Sequence, residues 1–234
     1  MKGLWALSAL ALVAAAPSPA SAQFFTDNFD AYVTGSTIAG QGGWETWDNN
    51  PAANSTLSNT QAFTTPNSLL VSGAADIVHQ FTGVTSGLWY ARTRIFVPST
   101  QTGEAWFILL NRYAPLAANN NWSVQLVSCV TGCTTQGAVP GMAVNLGGSG
   151  NPSTASTPLI TNQWVDVIVE INLTGNTYNL FYNNVLIDTK PWQVGGVAAV
   201  GAVDLFSNGS SPAFMDNVWL DTTVPVELTT FTVE

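Results

Sequence analysis

Two carboxyl groups held about 5 to 9.5 Å apart can cleave a glycosidic bond, one as the acid and the other as nucleophile or base. Along one strand that separation arises at positions i and i+2, about 6.7 Å apart. None of the fourteen Asp and Glu residues has such a partner. The nearest arrangement is Asp166 and Glu170 in WVDVIVEINL, on one strand face at i and i+4. Their backbone positions are about 13 Å apart, too wide for either mechanism. Carboxylates from different strands are left open. For an enzyme reading, Glu104, Asp166 and Glu170 are the candidate acids and bases.

The single histidine, His79, could act as a general base beside Arg92, Arg94 or Arg112, the arrangement a polysaccharide lyase needs. It alternates with Ile77 and Phe81, however, which reads as a core-facing structural histidine. No nucleophile motif supports Ser-His-Asp chemistry.

Non-covalent sugar recognition stacks an aromatic face on the apolar side of a pyranose ring and reads its hydroxyls with amides or guanidinium groups. Trp106, Asn111, Arg112, Tyr113 and Trp122 could do this from two successive strands and their connection. Trp192 in TKPWQ, outside regular alternation, is a second exposed candidate. Most other tryptophans alternate with Val and Leu and belong in a core.

Cys129 and Cys133 are the only cysteines, and the intervening Thr131-Gly132 turn brings them within bridging distance. A disulfide pinning a loop is expected in an oxidising compartment. With so few soft ligands in an acidic chain, calcium is the ion the composition favours.

These residues must be positioned by strands. Runs rich in Val, Ile, Phe, Tyr, Trp and Thr recur at Ser68 to Val71, Ile77 to Phe81, Leu88 to Val97, Ala105 to Leu110, Trp122 to Val127, Trp164 to Leu173, Tyr178 to Thr189, Val200 to Phe206 and Phe214 to Leu220. Asn183-Asn184 is a two-residue hairpin signal, because Asn tolerates the positive φ of a type I′ turn. The stretches from Gly147 to Pro158 and from Asn49 to Asn59 read as loops. The pattern predicts an all-β fold, a two-sheet antiparallel sandwich over residues 23 to 222.

The first 22 residues have one Lys, an apolar stretch from Leu4 to Ala16, and Ala20 and Ala22 before the cut, the form of a secretory signal. Secretion to an extracellular or periplasmic space is the expectation, with no membrane insertion. Charged residues are only 8% of the chain and the net charge is −9. Beyond Lys2 the cations are Arg92, Arg94, Arg112 and Lys190. A phosphate backbone or an anionic membrane would be repelled, which argues against nucleic acid as a partner.

FTDNFDAY at Phe25 to Tyr32, GGWETWDN at Gly42 to Asn49, AWFILLNRY at Ala105 to Tyr113 and AFMDNVWL at Ala213 to Leu220 together resemble the bacterial secreted members of the concanavalin A-like lectin/glucanase superfamily, the LamG-like jelly rolls. The resemblance implies a jelly-roll sandwich and a glycan partner. It also implies a structural calcium where the opening segment meets the closing strand, held by Asp27, Asp30 and Asp216. Turn and capping hydrogen bonds are the other use for these aspartates. The Glu-x-Asp-x-x-Glu pattern of the superfamily's laminarinase-like glucanases is absent, and ARTRI at Ala91 to Ile95 lacks the Glu of the alginate lyase pattern. The tail from Thr223 to Glu234 resembles the segment that follows the functional domain in many secreted bacterial proteins; an extra edge strand is the alternative.

The expectation is therefore a secreted, lectin-like carbohydrate-binding module. The alternatives are a glycan-cleaving enzyme on the same fold and an adhesive surface module.

Overall fold

The computed structural model describes residues 24–223. The expected signal segment and nearly all of the expected tail lie outside the described residues.

Among the described residues, seventeen strands and two short 3-10 turns follow one another. They are β1 (Phe25–Asp27), β2 (Trp44–Thr46), β3 (Thr56–Ser58), β4 (Ser68–Gly73), β5 (Asp76–Gln80), β6 (Leu88–Phe96), β7 (Glu104–Arg112), β8 (Asn121–Cys129) and β9 (Met142–Asn145). Then come β10 (Gly147–Gly148), β11 (Asn151–Pro152), β12 (Ser156–Pro158), β13 (Trp164–Asn172), β14 (Thr177–Tyr182), β15 (Val185–Lys190), β16 (Ala202–Asn208) and β17 (Ser210–Asp221). The 3-10 turns, Trp47–Asn49 and Pro51–Ala53, lie between β2 and β3.

The strands form two antiparallel sheets of a jelly-roll sandwich. One has the order β15-β14-β13-β6-β17-β4-β3, with β1 also paired to β17. The other has the order β12-β9-β8-β7-β16-β5-β2, and β10 and β11 form a separate ribbon. The expected loop from Gly147 to Pro158 thus contains three short strands, and that from Asn49 to Asn59 contains β3. Sequences this short and rich in Gly, Ser and Thr have no strand periodicity of their own and take it from their partners.

Alternation decides what each face meets. Ala91, Ile95, Phe107, Leu109, Val124, Leu126, Val167, Val169, Val203 and Leu205 point between the sheets and form the main core. In the seven-stranded sheet the intervening residues Val78, Trp106, Ile108, Leu110, Val127, Val144 and Ala202 are also buried, in a second apolar cluster on the outer face. A strand buried on both faces needs a cover on the far side. Trp47 and Trp122 help supply it.

Asn183 and Asn184 both adopt positive φ, 49° and 61°, and join β14 to β15 as the hairpin predicted. Cys129 and Cys133 are disulfide-bonded, with α-carbons 5.9 Å apart.

Candidate functional site

On the outer face of the seven-stranded sheet lies a cleft of about 430 Å³. Its aromatic lining is Trp47, Trp106, Trp122 and Phe206, and its polar lining is Asp76, Asp204, Gln125 and Thr135. β7, β16 and β5 are consecutive strands, with Phe206 opposite both Trp106 and Asp76, and Asp204 opposite both Ile108 and Val78. The alternation that sends Val203 and Leu205 inward sends Asp204 and Phe206 outward together.

Trp47 reaches the cleft on a tight turn. Asp48 and Asn49 adopt positive φ, 53° and 58°. The turn is tied down twice: the Asp48 backbone N–H donates to Tyr113 Oη at 3.1 Å, and Asp48 Oδ1 accepts from Leu116 N at 2.7 Å. Trp47 then packs against Tyr113 with ring centroids 4.7 Å apart and stacks on Trp122. Behind Trp122, β10 makes a close approach, with Ser149 N donating to Trp122 O at 2.9 Å. Gly148 permits it, since a Cβ there would lie 2.4 Å from Trp122 O.

Thr135 is placed by a different clamp. The fully buried Glu104 accepts from Thr134 N at 2.5 Å, Thr135 N at 2.6 Å, Thr135 Oγ1 at 2.7 Å and Asn208 Nδ2 at 2.9 Å. Burial pushes its pKa up, but these donors outweigh burial and hold it below the usual range. The disulfide closes the start of the same loop.

Asp76 and Asp204 lie close enough for each to shift the other's titration. Burial is the main reason both pKa values are raised, Asp76 to about 6 and Asp204 well above the ordinary value, and the mutual charge adds to it at Asp204. Asp76 Oδ1, Asp204 Oδ1 and Trp106 Nε1 are buried with no hydrogen-bond partner among the described residues.

The five residues expected to form a glycan platform divide. Trp106 and Trp122 line the cleft, and Tyr113 braces Trp47 from beside it. Asn111 does not reach it: it is 1% exposed, donates to Asn121 Oδ1 and Ser123 Oγ, and accepts from Val197 N. Arg112 is also turned to another use, its Nε donating to Asn119 O. Register shifts at this end of the β7-β8 pair take these residues off the simple alternation. Trp192, expected to be exposed, is 1% exposed and donates to Ala199 O while packing on Tyr178.

The other candidates lie elsewhere. Asp166 accepts from Arg92 Nε at 2.6 Å and Arg94 Nε at 3.0 Å, and Glu170 accepts from Asn179, all on the eight-stranded sheet. His79 is half-buried among Phe25, Trp44 and Phe81, its ring centroid 4.0 Å from that of Phe25, and burial lowers its pKa.

β1 does pair with β17. Each carboxylate expected to hold calcium nevertheless has both oxygens occupied. Asp27 accepts from Phe29 N, Tyr32 Oη and Trp44 Nε1; Asp30 from Asn67 N and Asn28 Nδ2; Asp216 from Phe63 N, Thr64 N and Asn217 N. This donor set fits the capping use rather than an ion, and no group of three His, Cys, Asp or Glu side chains among the described residues is gathered to hold a metal.

Trp47, Asp76, Gln125, Thr135, Asp204 and Phe206 were not among the expected site residues. One local signal did exist, an Asp between Val203 and Leu205 inside an apolar strand.

No family model matches the chain, and no curated protein sequence matches it. Solved structures do. The carbohydrate recognition domain of Emp46p in its potassium-bound form superposes with a TM-score of 0.51 at 8% identity, covering 78% of this chain and 90% of that one. Trypanosoma rangeli sialidase in complex with sialic acid gives 0.51 at 8%, covering 73% of this chain and 27% of that one. A GH131 β-glucanase catalytic domain from Podospora anserina gives 0.42 at 15%, covering 74% and 72%. The chain thus spans about a quarter of the sialidase's length. The two likenesses at a TM-score of 0.51 show the β-sandwich fold alone.

Proposed function

We propose that the protein is an exported, lectin-like carbohydrate-binding module and that its glycan site is the cleft on the seven-stranded sheet. One observation carries this reading: four aromatic rings line a cleft bordered by Asp76 Oδ1, Asp204 Oδ1 and Trp106 Nε1, which lack hydrogen-bond partners among the described residues. Aromatic faces suit the C–H face of a pyranose, and unpaired acceptors and donors suit its hydroxyls. The fold shared with a carbohydrate recognition domain agrees with this reading. No helix among the described residues is long and apolar enough to cross a membrane, and the disulfide suits an oxidising compartment.

The test is retention on immobilised polysaccharides, followed by a reducing-end assay on every polymer retained. Retention without new reducing ends is expected. Product release would replace this reading with a glycan-cleaving enzyme, and retention on none would leave the adhesive module.

A further inference from the structure

We propose that the cleft selects a glycan carrying a protonated primary amine, a 2-amino sugar unit whose ammonium group sits between Asp76 and Asp204 while a ring oxygen of the same unit accepts from Trp106 Nε1. The proposal rests on reading the cleft as a glycan site, and it names the glycan's chemistry.

The argument begins with the unpaired atoms. Asp204 is 3% exposed and Trp106 4% exposed, yet Asp204 Oδ1 and Trp106 Nε1 have no partner among the described residues, and Asp76 Oδ1 is in the same position. Buried polar groups are almost always paired, so two acceptors and one donor bordering one cleft define what a ligand has to bring. An ammonium group brings three donors and no acceptor, which answers the two carboxyls, and the oxygens of the same sugar answer the indole N–H.

Charge separates this ligand from other sugars. Among the lining residues the only ionisable groups are Asp76 and Asp204, and no Lys, Arg or His borders the cleft. The groups facing the pair are also acidic or neutral: Asp48 from the 3-10 turn acts on Asp76, and Glu45 of β2, Asp48 and Asp204 all act on Tyr113 at the end of β7. A uronate or sulfated glycan would bring a like charge with no counter-charge to meet it. A neutral hexose could fill the same hydrogen bonds, but without the charge assistance an ammonium gains from a carboxylate pair. Trp47, Trp106 and Trp122 beside the pair add a favourable surface for a cation.

The experiment compares four tetrasaccharides by calorimetry and tryptophan fluorescence at about pH 6: the β-1,4 oligomers of glucosamine, N-acetylglucosamine and glucose, and oligogalacturonate. The glucosamine oligomer is expected to bind roughly tenfold or more tightly than the acetylated and glucose oligomers, with the uronate weakest. Asp204→Asn and Asp76→Asn, each checked for native melting, are expected to abolish the preference for the glucosamine oligomer over the acetylated and glucose oligomers. Equal binding of the amine, acetylated and glucose oligomers would overturn the amine proposal and leave the glycan site standing. Persistence of the preference in both Asn variants would also overturn it. Binding of none of the four would remove the amine proposal, and the polysaccharide retention test then decides separately whether the glycan reading survives.

Discussion

The indole of Trp47 stacks on that of Trp122, with ring centroids 6.0 Å apart and planes 15° apart. One ring comes from a 3-10 turn and the other from β8, so the contact joins the segment between β2 and β3 to the middle of the chain. The two rings form a continuous wall of the cleft. Trp122→Ala removes part of the binding surface and also the support for Trp47. We expect it to weaken retention of any bound glycan by roughly tenfold or more, the range of an aromatic anchor in an interface. Isothermal titration against the retained polymer checks this, with Trp192→Phe, a core position outside the cleft lining, as the variant expected to bind normally.

The acid–base balance of the fold gives a second prediction. Burial raises the pKa of Asp76 and Asp216 to about 6, and that of Asp204 well above its ordinary value. A raised folded-state pKa means that the folded protein keeps protons the unfolded chain has released. The stability these groups supply is full below about pH 4 and is lost as pH rises through about 6 and, for Asp204, beyond it. Two groups run the other way: the lowered pKa of Glu104 supplies stability lost only in stronger acid, and the lowered pKa of His79 supplies stability lost as pH falls below the usual imidazole range, a single group against the three aspartates. The melting temperature should therefore be higher at about pH 5 than at pH 7.5, by at least about 3 °C. Asp204→Asn should flatten the rise. Differential scanning calorimetry across this range settles the sign.

Glu104 provides a third. Its carboxylate accepts hydrogen bonds from Thr134, Thr135 and Asn208 and holds the loop that carries Thr135 to the cleft. Glu104→Ala strands those donors and leaves a cavity in a fully buried site, a loss of about 2 to 4 kcal/mol. Glu104→Gln keeps the shape and should cost less. A melting series checks the order, and limited proteolysis between Cys133 and Gly141 should rise in the Ala variant first.

Much of the sandwich was legible because its signals are local. The alternation in LWYARTRIF and the Asn183-Asn184 turn each depend on residues a few positions apart, and both strands and turn lie where the spacing puts them. The cleft depends on strand order instead. Asp76 and Asp204 meet because β5 pairs with β16, a neighbour relation that no spacing within either strand expresses. Trp47 arrives through two residues at positive φ, and Trp192 is withdrawn by a hydrogen bond to Ala199 formed across a loop. Asn111 and Arg112 were placed by extending a strand pattern past the register shifts that end it.

Calcium gives the last prediction. Asp27 and Asp216 sit where β1 meets β17, as a structural ion would require, but their oxygens are engaged by backbone N–H groups, Tyr32 Oη and Trp44 Nε1. An ion would have to share or displace those donors, each worth about 1 to 3 kcal/mol when a charged acceptor is removed from it. We expect excess calcium and excess chelator to leave the melting temperature unchanged to within about 1 °C. Asp216→Ala should instead lower it in both conditions, because Phe63 N and Thr64 N lose their acceptor. A calcium-dependent rise that disappears in Asp216→Ala would establish the ion site that the opening and closing segments resemble.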